Sequence, residues 1–177
     1  MGIPSYFKHI VQKYKHLTSK NGKKYHSLYF DMNCIIHPIC RRIMELNPVC
    51  SEKDMFEEVM KEVVKIIAHV SPEQMVYLAV DGIAPMAKVI QQRYRRFRNM
   101  KEKRMLNKNE KWNSNIVTPG TTFMEHLNTF LTNWVKQWNK TNDLEILLSD
   151  SGEPGEGEHK IFDYLRECGN EEDYYCV

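Results

Sequence analysis

The run of residues 75–81 limits the fold more than any other segment of this chain. It reads Met-Val-Tyr-Leu-Ala-Val-Asp, an almost unbroken apolar run that ends on an acid. A strand with one solvated face alternates polar and apolar side chains, whereas a strand of a parallel sheet is covered on both faces and is apolar throughout. The run therefore predicts a buried strand of a parallel sheet that is covered on both sides.

Further strand patterns alternate with helical ones along the chain. Residues 26–31 are β-prone and also end on an acid, residues 144–148 are predicted as a third strand around the apolar run 146–148, and residues 174–177 look like the start of a fourth strand. Helical spacing of apolar residues fills the intervals, and Ser51 is expected to cap one of these helices. This alternation predicts an α/β fold in which helices flank a mostly parallel sheet.

Charge is distributed unevenly, although the formal net charge of the 177 residues is only +2. Residues 88–111 contain ten Lys or Arg against two Glu, and residues 143–173 contain eleven Asp or Glu against two Lys or Arg. The first block suits a polyanion and the second suits cations. With 42% hydrophobic and 27% charged residues, the chain is typical of one soluble globular domain rather than a disordered segment.

Cysteine usage and hydropathy restrict the compartment. The five cysteines are odd in number and include no C-x-x-C pair, so neither a zinc site nor a disulfide framework is supported. No apolar stretch approaches membrane-spanning length, and the amino terminus lacks the apolar run of a secretory signal. We therefore expect a protein of the cytoplasm or nucleus that is not inserted in a membrane.

Candidate metal ligands lie in the acidic loop at residues 149–160, which reads Ser-Asp-Ser-Gly-Glu-Pro-Gly-Glu-Gly-Glu-His-Lys. Glu156 and Glu158 are two residues apart, so an extended loop would project both carboxylates to one side. Asp31 and Asp81 each follow a predicted strand, and the carboxyl ends of parallel strands meet at one sheet edge. Carboxylate oxygens favour hard ions such as Mg²⁺ or Mn²⁺. A solvated loop and ordinary turn residues remain the alternative interpretation.

Six sequence blocks, in order across nearly the whole chain, resemble the Xrn family of 5′-to-3′ exoribonucleases. Each block alone is modest support, but six in the family order are specific. They are Met-Gly-Ile-Pro at residues 1–4 with Phe7, Tyr-Phe-Asp-Met-Asn at 29–33 with His37, Val-Asp-Gly-Ile-Ala-Pro-Met-Ala-Lys at 80–88, Gln-Gln-Arg-Tyr-Arg-Arg-Phe-Arg at 91–98, Ser-Asn-Ile-Val-Thr-Pro-Gly-Thr at 114–121, and Pro-Gly-Glu-Gly-Glu-His-Lys at 154–160.

The resemblance implies a function and a role for each candidate residue. The implied fold is a PIN/FEN-like sheet, and the implied activity is stepwise, metal-dependent hydrolysis of single-stranded RNA that bears a 5′-monophosphate. It also implies that His37 stacks on the first base. The implied ligands of Mg²⁺ (or Mn²⁺) at the scissile phosphate are Asp31, Asp81, Glu156 and Glu158. The residues implied to grip the 5′-phosphate are Lys88, Gln92, Arg95 and Arg96, whose spacing also places them on one helical face.

The chain departs from the family pattern in places. Met86 replaces a common arginine, and Glu153 stands where an apolar residue usually precedes Pro-Gly. Family members continue past the fourth strand into further metal-binding aspartates. The resemblance therefore implies that residues 1–177 are the N-terminal part of the nuclease domain, and we expect little exonuclease activity from them alone. Two alternatives stay open, namely a catalytically incomplete RNA-binding fragment and a flap-type DNA nuclease.

Overall fold

The structure is a computed structural model that describes residues 5–14, 24–105, 112–169 and 175–176. The predicted block at residues 1–4, the side chain of Phe7 and the end of the basic segment at residues 106–111 lie outside this description. The helices are α1 Tyr6–Lys13, α2 Asn33–Leu46, α3 Glu52–Val70, α4 Met86–Met105, α5 Thr122–Thr141 and α6 Gly157–Cys168, with a short 3₁₀ turn at Ser114–Ile116. The strands are β1 Ser27–Asp31, β2 Met75–Ala79, β3 Glu145–Ser149 and β4 Tyr175–Cys176.

The strands form one parallel sheet in the order β3-β2-β1-β4. This arrangement confirms the predicted α/β fold. Asp31 of β1 pairs with Ala79 of β2, which pairs with Ser149 of β3, so these three residues form one row across the sheet. All the strands point the same way, and the segments that follow them therefore leave from one edge of the sheet.

Both faces of the sheet are covered, as the apolar run of β2 predicts. Val76 and Leu78 of β2 belong to a large core with the inner faces of α2, α3 and α5. Tyr77 and Ala79, which alternate with them, pack with Tyr29 and Ile161 of α6 on the opposite face. The period-2 alternation of a strand thus divides one apolar run between two cores.

Helix ends follow local signals in the sequence. Ser51 caps α3 through a reciprocal capping box, in which its side chain accepts from the backbone N–H of Asp54 and the Asp54 carboxylate accepts from the backbone N–H of Ser51. Thr121 caps α5 by accepting from the N–H of Met124. Among the described helices, none combines the length and the apolar character needed to cross a membrane.

Candidate active site

Two acids at the carboxyl edge of the sheet meet the start of α6. The backbone N–H of Gly157, the first residue of α6, donates to Oδ1 of Asp81 over 2.7 Å. A Cβ at Gly157 would lie 2.9 Å from Oδ1 of Asp31, so this glycine lets the helix approach both carboxylates. Asp31 also accepts from the backbone N–H of Asn33 at 3.0 Å. The N-terminus of α6 therefore lies directly against the acids that end β1 and follow β2.

Glu156 and Glu158 lie in this same turn. Glu156 is the N-cap of α6 and is buried, whereas Glu158 lies in the first helical turn and is exposed. The expected extended loop is therefore wrong at Glu158, because the helix already begins at Gly157. Glu156, Glu158 and His159 nevertheless each offer a ligand atom within 4.8 Å of the others. The helical turn brings the two carboxylates together and adds His159, which the sequence analysis did not include.

The loop between β3 and α6 is locked to the segment after β2 by backbone contacts. The N–H of Gly82 donates to the carbonyl of Gly155 at 2.8 Å, and the N–H of Gly155 donates to the carbonyl of Ile83 at 3.0 Å. A Cβ at Gly82 would overlap the carbonyl oxygen of Glu153, so only glycine fits there without a shift of the backbone. The acidic loop is thus fixed beside the end of β2.

Lys160 also holds this loop in place, through hydrogen bonds from its side chain. Its side chain is buried, and its Nζ donates to the carbonyl of Val80 at 2.9 Å and to that of Asp150 at 2.6 Å. Burial lowers the pKa of this lysine, while the nearby carboxylates of Glu153, Asp150 and Asp81 act in the opposite direction. Lys160 therefore connects the ends of β2 and β3.

The electrostatics of this edge fit a bound cation. Burial raises the pKa of Asp31, and the neighbouring carboxylates of Asp81, Glu158 and Glu156 raise it further against the hydrogen bond from Asn33. The Lys88 ammonium lies 3.1 Å from Oε1 of Glu156 and balances part of this charge. A set of oxygen donors that repel one another matches the preference of Mg²⁺ or Mn²⁺.

The predicted phosphate-binding residues of α4 divide into three groups. Gln92 and Arg96 are half-buried and line a cleft of about 310 Å³ together with Gly82 and Thr118. Lys88 points to Glu156, whereas Arg95 is exposed. The cleft adjoins the acids through Gly82, which directly follows Asp81. The donors of α4 that face the protein body therefore border the acidic edge.

His37 lies in α2 and is half-buried. Burial lowers its pKa, the carboxylate of Asp81 raises it, and the guanidinium groups of Arg41, Arg95 and Arg96 lower it. His37 is therefore within electrostatic range of both the acidic edge and the basic helix.

Comparison with protein families gives an independent result. The model of the family described as XRN 5′-3′ exonuclease N-terminus matches residues 1–176. The chain belongs to this family. The XRN assignment agrees with the six sequence blocks, and it covers all four strands of the sheet.

Similar proteins bear the same kind of name. The chain is 33% identical to a 5′-3′ exoribonuclease 2 of Emericella nidulans, over 94% of this chain and 21% of that protein. It is 32% identical to a 5′-3′ exoribonuclease 2 homolog of Drosophila melanogaster, over 94% of this chain and 24% of that protein. A Gallus gallus 5′-3′ exoribonuclease 2 is 33% identical, over 94% of this chain and 22% of its own length. The chain thus spans roughly a fifth to a quarter of these XRN relatives.

Sequence reasoning within the XRN blocks missed the residues that hold the site together. Gly82 is recognisable afterwards, because it directly follows Asp81 at a strand-to-helix junction. Lys160 gives no such signal, since a lysine in a first helical turn is usually solvated. Its two carbonyl partners lie 80 and 10 residues away in sequence, which only the fold reveals.

Proposed function

We propose that this chain forms the metal-binding and end-binding part of a 5′-to-3′ exoribonuclease that acts on RNA with a 5′-monophosphate. The observation that supports this proposal most strongly is the Lys88–Glu156 ion pair, because it joins the basic helix to the acidic edge at a distance of 3.1 Å. The residues of α4 that could donate to a phosphate therefore lie next to the carboxylates that could bind a cation. The names of the XRN relatives support an RNA substrate over a DNA flap.

In this proposal, the four acids hold the metal ion at the scissile phosphate. Asp31 and Asp81 are oriented by backbone N–H groups of Asn33 and Gly157, so their free oxygens are held in place before the substrate arrives. Glu156 and Glu158 would complete the oxygen donors. A bound Mg²⁺ or Mn²⁺ supplies an activated water and neutralises charge that develops on the phosphate oxygens.

In this proposal, the basic helix α4 recognises the 5′ end of the RNA. Gln92 and Arg96 face the cleft beside Gly82, where a terminal phosphate would meet charge-assisted donors worth roughly 1.5–3 kcal/mol each. A 5′-hydroxyl offers no equivalent acceptor. Lys88, which pairs with Glu156 at this border, would also be within reach of a phosphate oxygen, and Glu156 would be one of the residues that hold the cation. His37, whose pKa responds to Asp81 and to Arg95 and Arg96, would stack on the first base.

A double substitution in the basic helix tests this assignment. Arg95→Ala/Arg96→Ala should abolish most of the preference for 5′-phosphate over 5′-hydroxyl RNA, because the charged donors for that group are lost. The measurement on residues 1–177 is the ratio of binding affinities for the two RNAs in EDTA at fixed salt, and the measurement on the full-length protein is the ratio of initial decay rates at fixed Mg²⁺ and salt. Lys136→Ala/Lys140→Ala, on exposed positions of α5, is the charge-matched control.

Other outcomes would favour the alternatives. RNA that binds to the full-length protein but does not decay when Mg²⁺ is added would indicate a catalytically incomplete RNA-binding module. Single-stranded or flap DNA that decays as fast as RNA would favour a DNA nuclease. A phosphate-to-hydroxyl ratio that the double substitution leaves unchanged would mean that α4 only follows the RNA backbone, and the proposed end recognition would be wrong.

A further inference from the structure

A second cavity, of about 280 Å³, lies beside α2 and outside the cleft described above. Arg41 and Arg42 line it on one side, and Trp112 and Ser114 line it on the other. We call it the α2 cavity. Both arginines are exposed, and no acid in the described ranges lies within ion-pair distance of either guanidinium. Glu45, one turn further along α2, also lines the cavity, so the wall carries an excess of positive charge.

Trp112 gives the α2 cavity an unused hydrogen-bond donor. The side chain is 4% exposed, and its Nε1–H has no partner in the described part of the chain. A buried donor without a partner is costly, and nearly all such groups in native proteins are paired. Trp138 shows the usual situation, because its Nε1–H donates to the carbonyl of Leu144 at 3.0 Å. The described part of the chain therefore leaves the indole N–H of Trp112 without an acceptor.

The position of the α2 cavity relates it to the proposed RNA path. His37 lines the cavity, and the charges of Asp81, Arg95 and Arg96 all act on the same imidazole. His37 thus borders the α2 cavity and is within electrostatic range of Arg96, which lines the terminal-phosphate cleft. An RNA strand whose first base contacts His37 would have its following linkage within reach of this wall.

We propose that the α2 cavity binds a phosphodiester group of the RNA strand, with Arg41, Arg42 and the indole N–H of Trp112 as donors. This inference rests on the proposed function for the identity of the strand. A phosphodiester fits better than a base, because the arginines and Trp112 present donors alone and a phosphate offers acceptors in several directions. Trp112 is too buried to offer a ring face for stacking.

Binding of short 5′-phosphorylated RNA tests the proposal in EDTA, where metal-dependent decay is prevented. Arg41→Ala/Arg42→Ala should lower the affinity at least tenfold, by about the loss of two charge-assisted contacts. The slope of log affinity against log salt should fall by about 1.4, at roughly 0.7 per lost phosphate contact on a single strand. The control is Lys136→Ala/Lys140→Ala, at the end of α5 that lies beside the start of β3 and away from the acidic edge. Equal losses in the two variants would overturn the proposal.

The NMR signals of the tryptophan indole N–H groups give a second test, because a general loss of charge would not change how they respond to RNA. The chain has three tryptophans, and Trp112→Phe identifies the signal of Trp112. On saturation with the RNA, this signal should shift strongly in the wild type and little in Arg41→Ala/Arg42→Ala, while that of Trp138 stays in place. A Trp112 signal that stays unchanged in RNA-saturated protein would contradict the proposal.

A 5′-mononucleotide separates this inference from the proposed function. It has a terminal phosphate but no internucleotide linkage, so its affinity should be insensitive to Arg41→Ala/Arg42→Ala and sensitive to Arg95→Ala/Arg96→Ala. If the proposed end recognition is wrong, Arg95→Ala/Arg96→Ala will not change the affinity for the mononucleotide. Arg41→Ala/Arg42→Ala will still weaken binding of the longer RNA. A mononucleotide weakened by the first pair as much as the longer RNA would contradict a site for the following linkage.

Discussion

The acidic edge and the basic helix α4 are held in place in different ways. At the acidic edge, Gly157 donates to Asp81, Gly82 and Gly155 exchange hydrogen bonds with the neighbouring segment, and Lys160 binds two carbonyls. By contrast, α4 is exposed along most of its length, and in the described part of the chain its ion pair to the protein body is the one from Lys88 to Glu156. The proposed ligands are fixed by backbone, whereas the proposed substrate donors lie on a helix that is largely solvated.

This difference follows from what each region has to do. Like charges stay close together only if the surrounding backbone holds them there. At the acidic edge, glycines allow the segments to approach closely, and the buried Lys160 donates to two backbone carbonyls. Donors for a mobile RNA strand need only helical spacing and solvent access. Substitutions at the acidic edge should therefore change the stability of the fold, whereas those on α4 should change binding and leave stability almost unaltered.

The largest effect is expected at Gly82. An alanine there places a methyl group into the carbonyl of Glu153, so Gly82→Ala should lower the free energy of unfolding by about 3 kcal/mol, at the upper end for overpacking. Gly152→Ala is the matched control, because its methyl group would meet only the Asp150 side chain, at 3.0 Å. Denaturant unfolding measures both, and equal losses would mean that the loop is not locked to the end of β2.

Lys160→Met should have the next largest effect. Methionine retains most of the apolar volume but leaves the carbonyls of Val80 and Asp150 without this donor, which should cost about 2 kcal/mol. Lys136→Met, at an exposed position of α5, should cost less than about 0.5 kcal/mol in the same unfolding assay. A loss at Lys160 no larger than that at Lys136 would show that this lysine does not connect the two strands.

Asp31→Asn should act in the opposite direction and stabilise the protein in EDTA. The pKa of Asp31 is raised above its ordinary value of 3.8, first by burial, so the folded state disfavours the carboxylate. The contribution of Asp31 to the free energy of unfolding is therefore complete below pH 3.8, and it is lost as the pH rises through the raised pKa. The variant should therefore melt at a higher temperature than the wild type at neutral pH, and the gap should close as pH falls. A constant gap across pH would exclude titration of Asp31 as its cause.

The smallest effect on stability is expected in the basic helix. Arg95→Ala/Arg96→Ala should change the free energy of unfolding by less than about 0.5 kcal/mol, because Arg95 is exposed and Arg96 only half-buried. The same preparation should lose RNA affinity. A loss of stability comparable to that of Lys160→Met would show that α4 is part of the rigid site rather than a solvated surface beside it.

The sheet could be predicted from the sequence because its signals are local. The apolar run of β2 and the acids after β1 and β2 determine the fold class and the edge at which the acids lie. The helical face of Lys88, Gln92 and Arg96 also follows from spacing alone. The sequence predicts an extended loop at Glu158 because residues 154–157 include turn-forming residues, and nothing in the sequence marks Gly157 as the first residue of the helix.

Other features of the site depend on contacts between distant segments. Lys160 is expected at the surface from its residue type, and only its carbonyl partners explain its burial. The Lys88–Glu156 pair joins residues from different elements, so helical spacing cannot predict that Lys88 faces a carboxylate.

Binding of Mn²⁺, followed by electron paramagnetic resonance, tests most directly whether the acidic edge is a cation site. The wild-type chain should bind Mn²⁺, and Asp81→Asn and Glu158→Gln should each weaken binding at least tenfold while the fold is retained. The control is Glu58→Gln/Glu62→Gln, which removes two acids from the exposed face of α3 and should leave Mn²⁺ affinity unchanged. Equal Mn²⁺ affinity in the wild type, Asp81→Asn and Glu158→Gln would contradict the account.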